Sequence, residues 1–169
     1  EMYRKNAPTQ EHSLSVSGGS GNVNYYVSGA VLDQQGIIRH GSDLFKRYNL
    51  TAKMNIKILP WLTLGYTNRW TREEYSRPSY MTGLFFHNIA RRWPTNPVRD
   101  PNGYYVAGNE IIQMEDSGID RTQKDFSAQQ ITLEARPIAG LMLRAENNYN
   151  ITSANNHWDV RAIYSHDKK

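Results

Sequence analysis

The chain has no cysteine among its 169 residues, so disulfides, thiolate metal sites and thiol nucleophiles are excluded from it. It has no apolar run of about 18 residues, which excludes a transmembrane helix but not transmembrane strands, whose signal per segment is much weaker. Hydrophobic residues reach only 38%, below the usual share for a globular domain. The first residues, Glu1-Met2-Tyr3-Arg4-Lys5-Asn6, have neither an apolar stretch nor a cleavage pattern, so any export signal is expected outside this sequence. There is no G-x-S-x-G, no phosphate-binding loop and no H-E-x-x-H, and the histidines at 12, 40, 87, 157 and 166 are too dispersed for a local metal site. The expectation is a protein that is not an enzyme, with no catalytic residue, no metal and no cofactor. An excess of one charge is also missing: the net charge is +4, and the basic residues are scattered apart from Arg91-Arg92 and Lys168-Lys169. A nucleic-acid footprint would be clustered, so no nucleic-acid partner is expected.

What the chain does have is aromatics, 11% with 11 Tyr and 4 Trp, and strict alternation. Val23, Tyr25, Val27, Gly29 and Val31 fall on one face of an extended segment, with Asn22, Asn24, Tyr26 and Ser28 on the other. Tyr48, Leu50, Ala52, Met54, Ile56 and Ile58 alternate with Asn49, Thr51, Lys53, Asn55 and Lys57. After a turn at Leu59-Pro60-Trp61, Leu62, Leu64, Tyr66 and Trp70 alternate with Thr63, Thr67, Arg69 and Thr71. The unit recurs as Ile131, Leu133 and Ala135, a turn at Pro137-Ile138-Ala139-Gly140, then Leu141, Leu143, Ala145, Tyr149 and Ile151. A last strand is expected through Trp158, Val160, Ala162 and Tyr164.

The pattern predicts an all-β fold: an antiparallel transmembrane β-barrel segment of about seven strands, too few to close a bacterial barrel of the large plugged kind, with its about 22 strands. Residues 1–169 read as one part of such a barrel, with strands over roughly 11–18, 22–33, 46–58, 62–74, 125–136, 141–152 and 156–165. Connections are short at 18–22, 59–61 and 137–140 and long over 75–124, and in outer-membrane barrels the short turns are periplasmic and the long loops extracellular. An arginine or lysine facing lipid near the midplane costs about 2–4 kcal/mol, which assigns Asn24, Tyr26, Lys53, Arg69, Glu134, Arg136 and Arg144 to the lumen. Trp61, and Trp70 with Tyr75, fall near opposite strand ends, as interfacial girdles require.

In the long loop, Pro78 is placed to open a helix along which Met81, Leu84, Phe85, Ile89 and Trp93 keep helical spacing up to Pro94. Phe85, Phe86, Trp93, Tyr104 and Tyr105 are candidate ligand contacts, against the plainer role of anchoring the loop. Glu73-Glu74 with Asp116 or Asp120 gives no evidence of the spacing a glycosidase pair needs. Asp100-Pro101-Asn102-Gly103 reads as a turn, not a calcium loop, and the sequons at Asn49 and Asn150 fall on strands and read as chance.

The run Gln10, His12, Leu14, Ser15, Ser17, Gly18, Gly19, Ser20, then Val23, Asn24, Tyr25, Tyr26, Ser28, then Asp33, Gln34, Gly36, Ile37 resembles the QxHxLSxSGGS…VNYYxS…D/N-Q-x-G-I barrel segment of SusC/RagA-type TonB-dependent outer-membrane transporters. Asn88 to Val98 followed by Asp100, Gly103 and Tyr104 is similar to a second segment of that family, in the same order. The resemblance implies a bacterial outer-membrane importer of oligosaccharides or peptides. Its partners would be a SusD-like surface lipoprotein at the mouth and TonB-ExbB-ExbD acting through a plug absent from this chain. The alternatives are a TonB-dependent siderophore or cobalamin receptor, and a soluble carbohydrate-binding β-sandwich.

Overall fold

The computed structural model describes residues 2–106 and 108–163. Six strands form one antiparallel sheet in sequence order: β1 (Thr9–Ser20), β2 (Val23–Gln35), β3 (Leu44–Leu59), β4 (Leu62–Pro78), β5 (Ile119–Ala135) and β6 (Leu143–Trp158). Two short helices, α1 (Phe85–Arg91) and α2 (Glu110–Asp116), lie between β4 and β5. Each strand pairs with the next, so the described sheet is open, with β1 and β6 as its edges. Among the described residues all strands belong to this one sheet, whereas the β-sandwich alternative takes a second sheet packed on the first.

The strands are longer and one fewer than the sequence suggests. β4 and β5 each run 17 residues, about six more than a tilted strand needs to cross the hydrocarbon. They extend to Pro78 and from Ile119, which shortens the connecting loop from 75–124 to 79–118. β6 continues through Ser153-Ala154-Asn155-Asn156, where a break before the expected last strand was read, because β5 supplies a paired partner as far as Asp120 opposite Trp158. Residues 159–163 form no further strand, and 164–165 of that expectation lie outside the described residues.

Register sorts the side chains into two faces, because residues directly opposite one another in a ladder share a face. One face carries the rows Val23–Ile56–Leu64–Leu133–Ala145, Tyr25–Met54–Tyr66–Ile131–Asn147, Val27–Ala52–Asn68–Gln129–Tyr149 and Gly29–Leu50–Trp70–Ser127–Ile151. β1 extends it with Leu14 and Val16. A register shift between Lys57 and Leu59 sets Leu59 opposite Leu62, which adds the row Leu62–Ala135–Leu143 at the short-turn end. Above Trp70 this face turns charged: Tyr48 stands opposite Arg72, whose guanidinium lies 5.3 Å from the Trp70 ring and pairs with Asp125 at 2.8 Å. Trp70 thus marks the edge of an apolar band. Tyr75 does not join it: it lies on the other face, opposite Phe45 and Thr122, so the girdle assignment of Tyr75 is corrected.

Among the described residues no element packs over the band. Leu14, Val16, Leu50, Met54, Ile131, Leu133, Tyr149 and Ile151 are all exposed, and every residue of β6 is exposed. The buried apolar residues, Ile38, Phe85, Ile111, Ile112 and Met114, sit instead in the connections at the long-loop end. Ile38, Phe85 and Met114 form one cluster, against which Met2, Tyr80, Met81 and Ile89 pack. Gly41 reaches over this cluster at φ +74, where an added Cβ would lie 2.4 Å from the Met114 carbonyl oxygen and 2.7 Å from Pro78 Cγ. Pro78 ends β4 and does not open a helix; α1 begins only at Phe85, because turns at Ser79-Tyr80 and Gly83-Leu84 intervene.

Connection length also divides the sheet's two ends. Residues 21–22, 60–61 and 136–142 link strands at one end, and 36–43 and 79–118 at the other.

The two faces predict an asymmetry of substitution. Met54→Arg or Leu64→Arg is expected to cost about 2–4 kcal/mol and block assembly in membranes, whereas Thr51→Arg and Thr63→Arg leave assembly unchanged. Heat-modifiable mobility of the membrane fraction reads this out, and equal behaviour of the two sets would reverse the assignment.

Candidate functional site

The polar face is built by the residues that alternate with the band. Its rows are Asn24–Asn55–Gly65–Thr132–Glu146, Tyr26–Lys53–Thr67–Gln130–Asn148 and Ser28–Thr51–Arg69–Ala128–Asn150, with Thr63–Glu134–Arg144 at the short-turn end. The residues expected on one side, Asn24, Tyr26, Lys53, Arg69, Glu134 and Arg144, do share this face of the sheet. Arg136 lies just past β5; its N–H donates to the Trp61 carbonyl at 2.7 Å and its guanidinium pairs with Glu134 at 2.8 Å. Arg144 pairs along its own strand with Glu146 at 3.1 Å, and Glu146 also accepts from Gln130 and from Asn148. These are exposed pairs, screened by solvent, that contribute little to stability. Their effect is to make a wetted surface without a buried charge.

At the long-loop end the polar face changes character. Glu73 stands opposite Lys124, and one row further out Phe45, Tyr75 and Thr122 lie side by side. Beyond them Arg77 stands opposite Asp120, donating to it at 2.9 Å, with its guanidinium 5.9 Å from the Tyr75 ring. These six residues, Phe45, Glu73, Tyr75, Arg77, Thr122 and Lys124, line a recess of about 280 Å³. Sequence reading missed it because its members come from three strands and meet only through register. The available signal was parity: Tyr75 is an odd-numbered residue on a strand whose apolar band is carried by the even-numbered Leu62, Leu64, Tyr66 and Trp70.

The five loop aromatics are not gathered into one site. Phe85 is fully buried in the loop core, which gives it an anchoring place. Phe86 packs edge-on against it at 5.2 Å and is 45% exposed. Trp93 follows α1 and is 74% exposed. Tyr104 and Tyr105 sit in a small bridged turn where Arg99 lies 4.1 Å from the Tyr105 ring. Asp100 closes that turn by accepting from Asn102 N at 2.9 Å and Tyr104 N at 2.8 Å, with Gly103 at φ +90, so its carboxylate serves the turn.

The other carboxylates are separated. Glu73 and Glu74 point to opposite faces, Asp120 pairs with Arg77, and Asp116 ends α2. Among the described residues no three His, Cys, Asp or Glu side chains are grouped to hold a metal ion.

Hydrogen bonds tie the segments of the loop to one another. Asn109 caps α2 by accepting from Ile111 N at 2.9 Å and ties it back by donating to the Val98 carbonyl at 3.0 Å. Arg92 reaches Glu110 and the Gly108 carbonyl. At the start of β5, Asp159 accepts from Ile119 N at 2.7 Å. That backbone donor, with Arg161 beside it, holds the Asp159 carboxyl below the usual carboxylate range. Gly118 precedes this contact at φ +108, where a Cβ would lie 2.4 Å from the Asp159 carbonyl oxygen.

Because the folded pKa of Asp159 is depressed, its contribution is complete above the ordinary value and disappears as pH falls through the folded one. Exchange protection of the Ile119 amide is expected to hold from neutral pH down to the carboxylate range and to collapse only below it. Asp159→Asn removes this pH dependence. Gly118→Ala is expected to cost about 1–2 kcal/mol from backbone handedness alone, read as faster proteolysis within 79–118.

No family model matches the chain. It is similar to the TonB-dependent receptor P26 of Formosa agariphila, 27% identical over 107 residues, which covers 63% of this chain and 10% of that protein. The chain thus spans about a tenth of the relative's length. This similarity supports the TonB-dependent receptors as the family the chain resembles, and it does not reach as far as the SusC/RagA branch.

Proposed function

We propose that this chain forms part of the wall and mouth of a TonB-dependent outer-membrane transporter of SusC/RagA type, which imports oligosaccharides or peptides. The observation that carries the reading is the sheet itself: an up-and-down meander with one apolar band and one polar face, neither covered by another sheet among the described residues. A surface of that kind is expensive in water, whereas lipid against the band and a hydrated lumen against the other face satisfy both. The similarity to a TonB-dependent receptor supports the transporter class and an outer-membrane address, and a receptor accords with a non-enzymatic role. The SusC/RagA assignment rests on the Ser15–Ile37 motif run.

In this reading the short turns are periplasmic and residues 36–43 and 79–118 lie outside the cell. Asn24, Tyr26, Lys53, Arg69, Glu134, Arg136 and Arg144 line the lumen. Phe86, Trp93, Tyr104 and Tyr105 are the loop aromatics available to substrate or to a SusD-like lipoprotein. TonB-ExbB-ExbD drives transport through a plug supplied by sequence outside this chain.

The test is uptake by intact cells producing the complete protein. Uptake of an oligosaccharide or peptide is expected to be abolished when the proton gradient is collapsed or when the SusD-like partner's gene is deleted. Uptake of only siderophore or cobalamin would replace the nutrient-importer reading, and recovery of the protein in the soluble fraction would remove the transporter reading altogether.

A further inference from the structure

We infer that the recess formed by Phe45, Tyr75 and Thr122 with Glu73, Lys124 and Arg77 is a binding site for one sugar unit of an oligosaccharide. The inference rests on the transporter reading and adds to it a place and a substrate class.

On the polar face, the rows nearer the short turns carry mainly Asn, Ser, Thr, Gln and Lys or Arg, with Tyr26 among them. At the long-loop end Phe45 and Tyr75 become direct cross-strand neighbours, both half-buried, on the side that is polar elsewhere. Neither belongs to the loop's apolar cluster, so packing does not account for them. Both aromatics line the recess, and an aromatic side chain offers the apolar surface that the C–H face of a pyranose packs against.

The rim supplies what the hydroxyls of that ring need. Glu73 offers acceptors, Lys124 and Arg77 donors, and Thr122 both. Glu73 and Lys124 face each other in register, yet among the described residues neither is held in an ion pair. Two polar atoms on the bounding rows, Arg47 Nε and Asp120 Oδ1, are removed from solvent without a hydrogen-bond partner among the described residues. At about 280 Å³ the recess is at the small end of ligand sites, which suits one unit of a longer ligand.

The backbone argues against a peptide here. Peptides that bind sheets add a strand to an open edge, and β3, β4 and β5 are paired on both sides. Recognition at this place is left to side chains, which is how sugars are held.

The experiment uses the complete transporter, extracted from outer membranes in detergent. An array of oligosaccharides of mixed composition, neutral and uronic-acid-containing, is screened for binding, and the strongest ligand is titrated calorimetrically. Phe45→Ala and Tyr75→Ala are expected to weaken binding about tenfold each, since each removes a stacking surface. Tyr75→Phe is expected to bind like the parent, and Glu73→Gln and Lys124→Gln to weaken binding while heat-modifiable mobility stays unchanged. Glycan binding unaltered by any of these changes overturns the site and leaves the importer reading standing. A protein that binds no glycan on the array but takes up peptides overturns the sugar assignment alone. Failure to recover the parent protein from outer membranes overturns the transporter reading on which the site depends.

Discussion

Every feature of this molecule depends on register. Side chains alternate strictly along a strand, so a slip of one residue in any ladder would exchange that strand's two faces. A slip in β3 would turn Lys53 and Lys57 toward the apolar side, and a slip in β4 would do the same with Arg69. At about 2–4 kcal/mol for each such side chain near a bilayer midplane, the hydrophobic pattern holds the pairing far more firmly than any single hydrogen bond. The one shift in the ladder, between Lys57 and Leu59, lies next to the turn at Pro60-Trp61, where it adds Leu59 to the band and leaves the rest of β3 in place.

From that constraint follows an unusual division of labour. The sheet is stabilised within itself by paired backbone and has little buried apolar mass, while the compact core belongs to the connections at one end. Ile38, Phe85 and Met114 gather residues 36–43 and 79–118 into one cap, and Gly41 and Gly118 allow the close approaches that the cap needs. The recess on the polar face lies toward the long-loop end of β3, β4 and β5, beyond the edge of the apolar band. There the strands are long enough that neither face has to be apolar, and side chains are free to serve recognition.

How much of this was legible follows the same physics. Where one face is apolar, period-two alternation revealed most of the strands, the turns near 18–22, 59–61 and 137–140, and that Asn24, Tyr26, Lys53, Arg69, Glu134 and Arg144 share one face. Where β4 and β5 pass beyond the band the alternation ends: Tyr75, Arg77, Arg121 and Lys124 read as loop although they are paired strand. β6 is similar, since its Asn-rich stretch has no strand signal of its own and is extended by β5. The second helix had a readable start in Asn109 before Ile111, Ile112 and Met114. The recess had no local signal, because Phe45 and Tyr75 are thirty residues apart in a chain whose pairing the sequence does not state.

The central claim is that the two faces meet two different solvents, and the absence of cysteine from the chain makes it directly measurable. Single cysteines placed at 51, 53, 55, 64, 66 and 131 of the membrane-assembled protein can be exposed to a water-soluble maleimide. The account predicts labelling at 51, 53 and 55 and protection at 64, 66 and 131, with protection lost once the lipid is replaced by denaturant. Equal labelling of both sets in the intact membrane would contradict it.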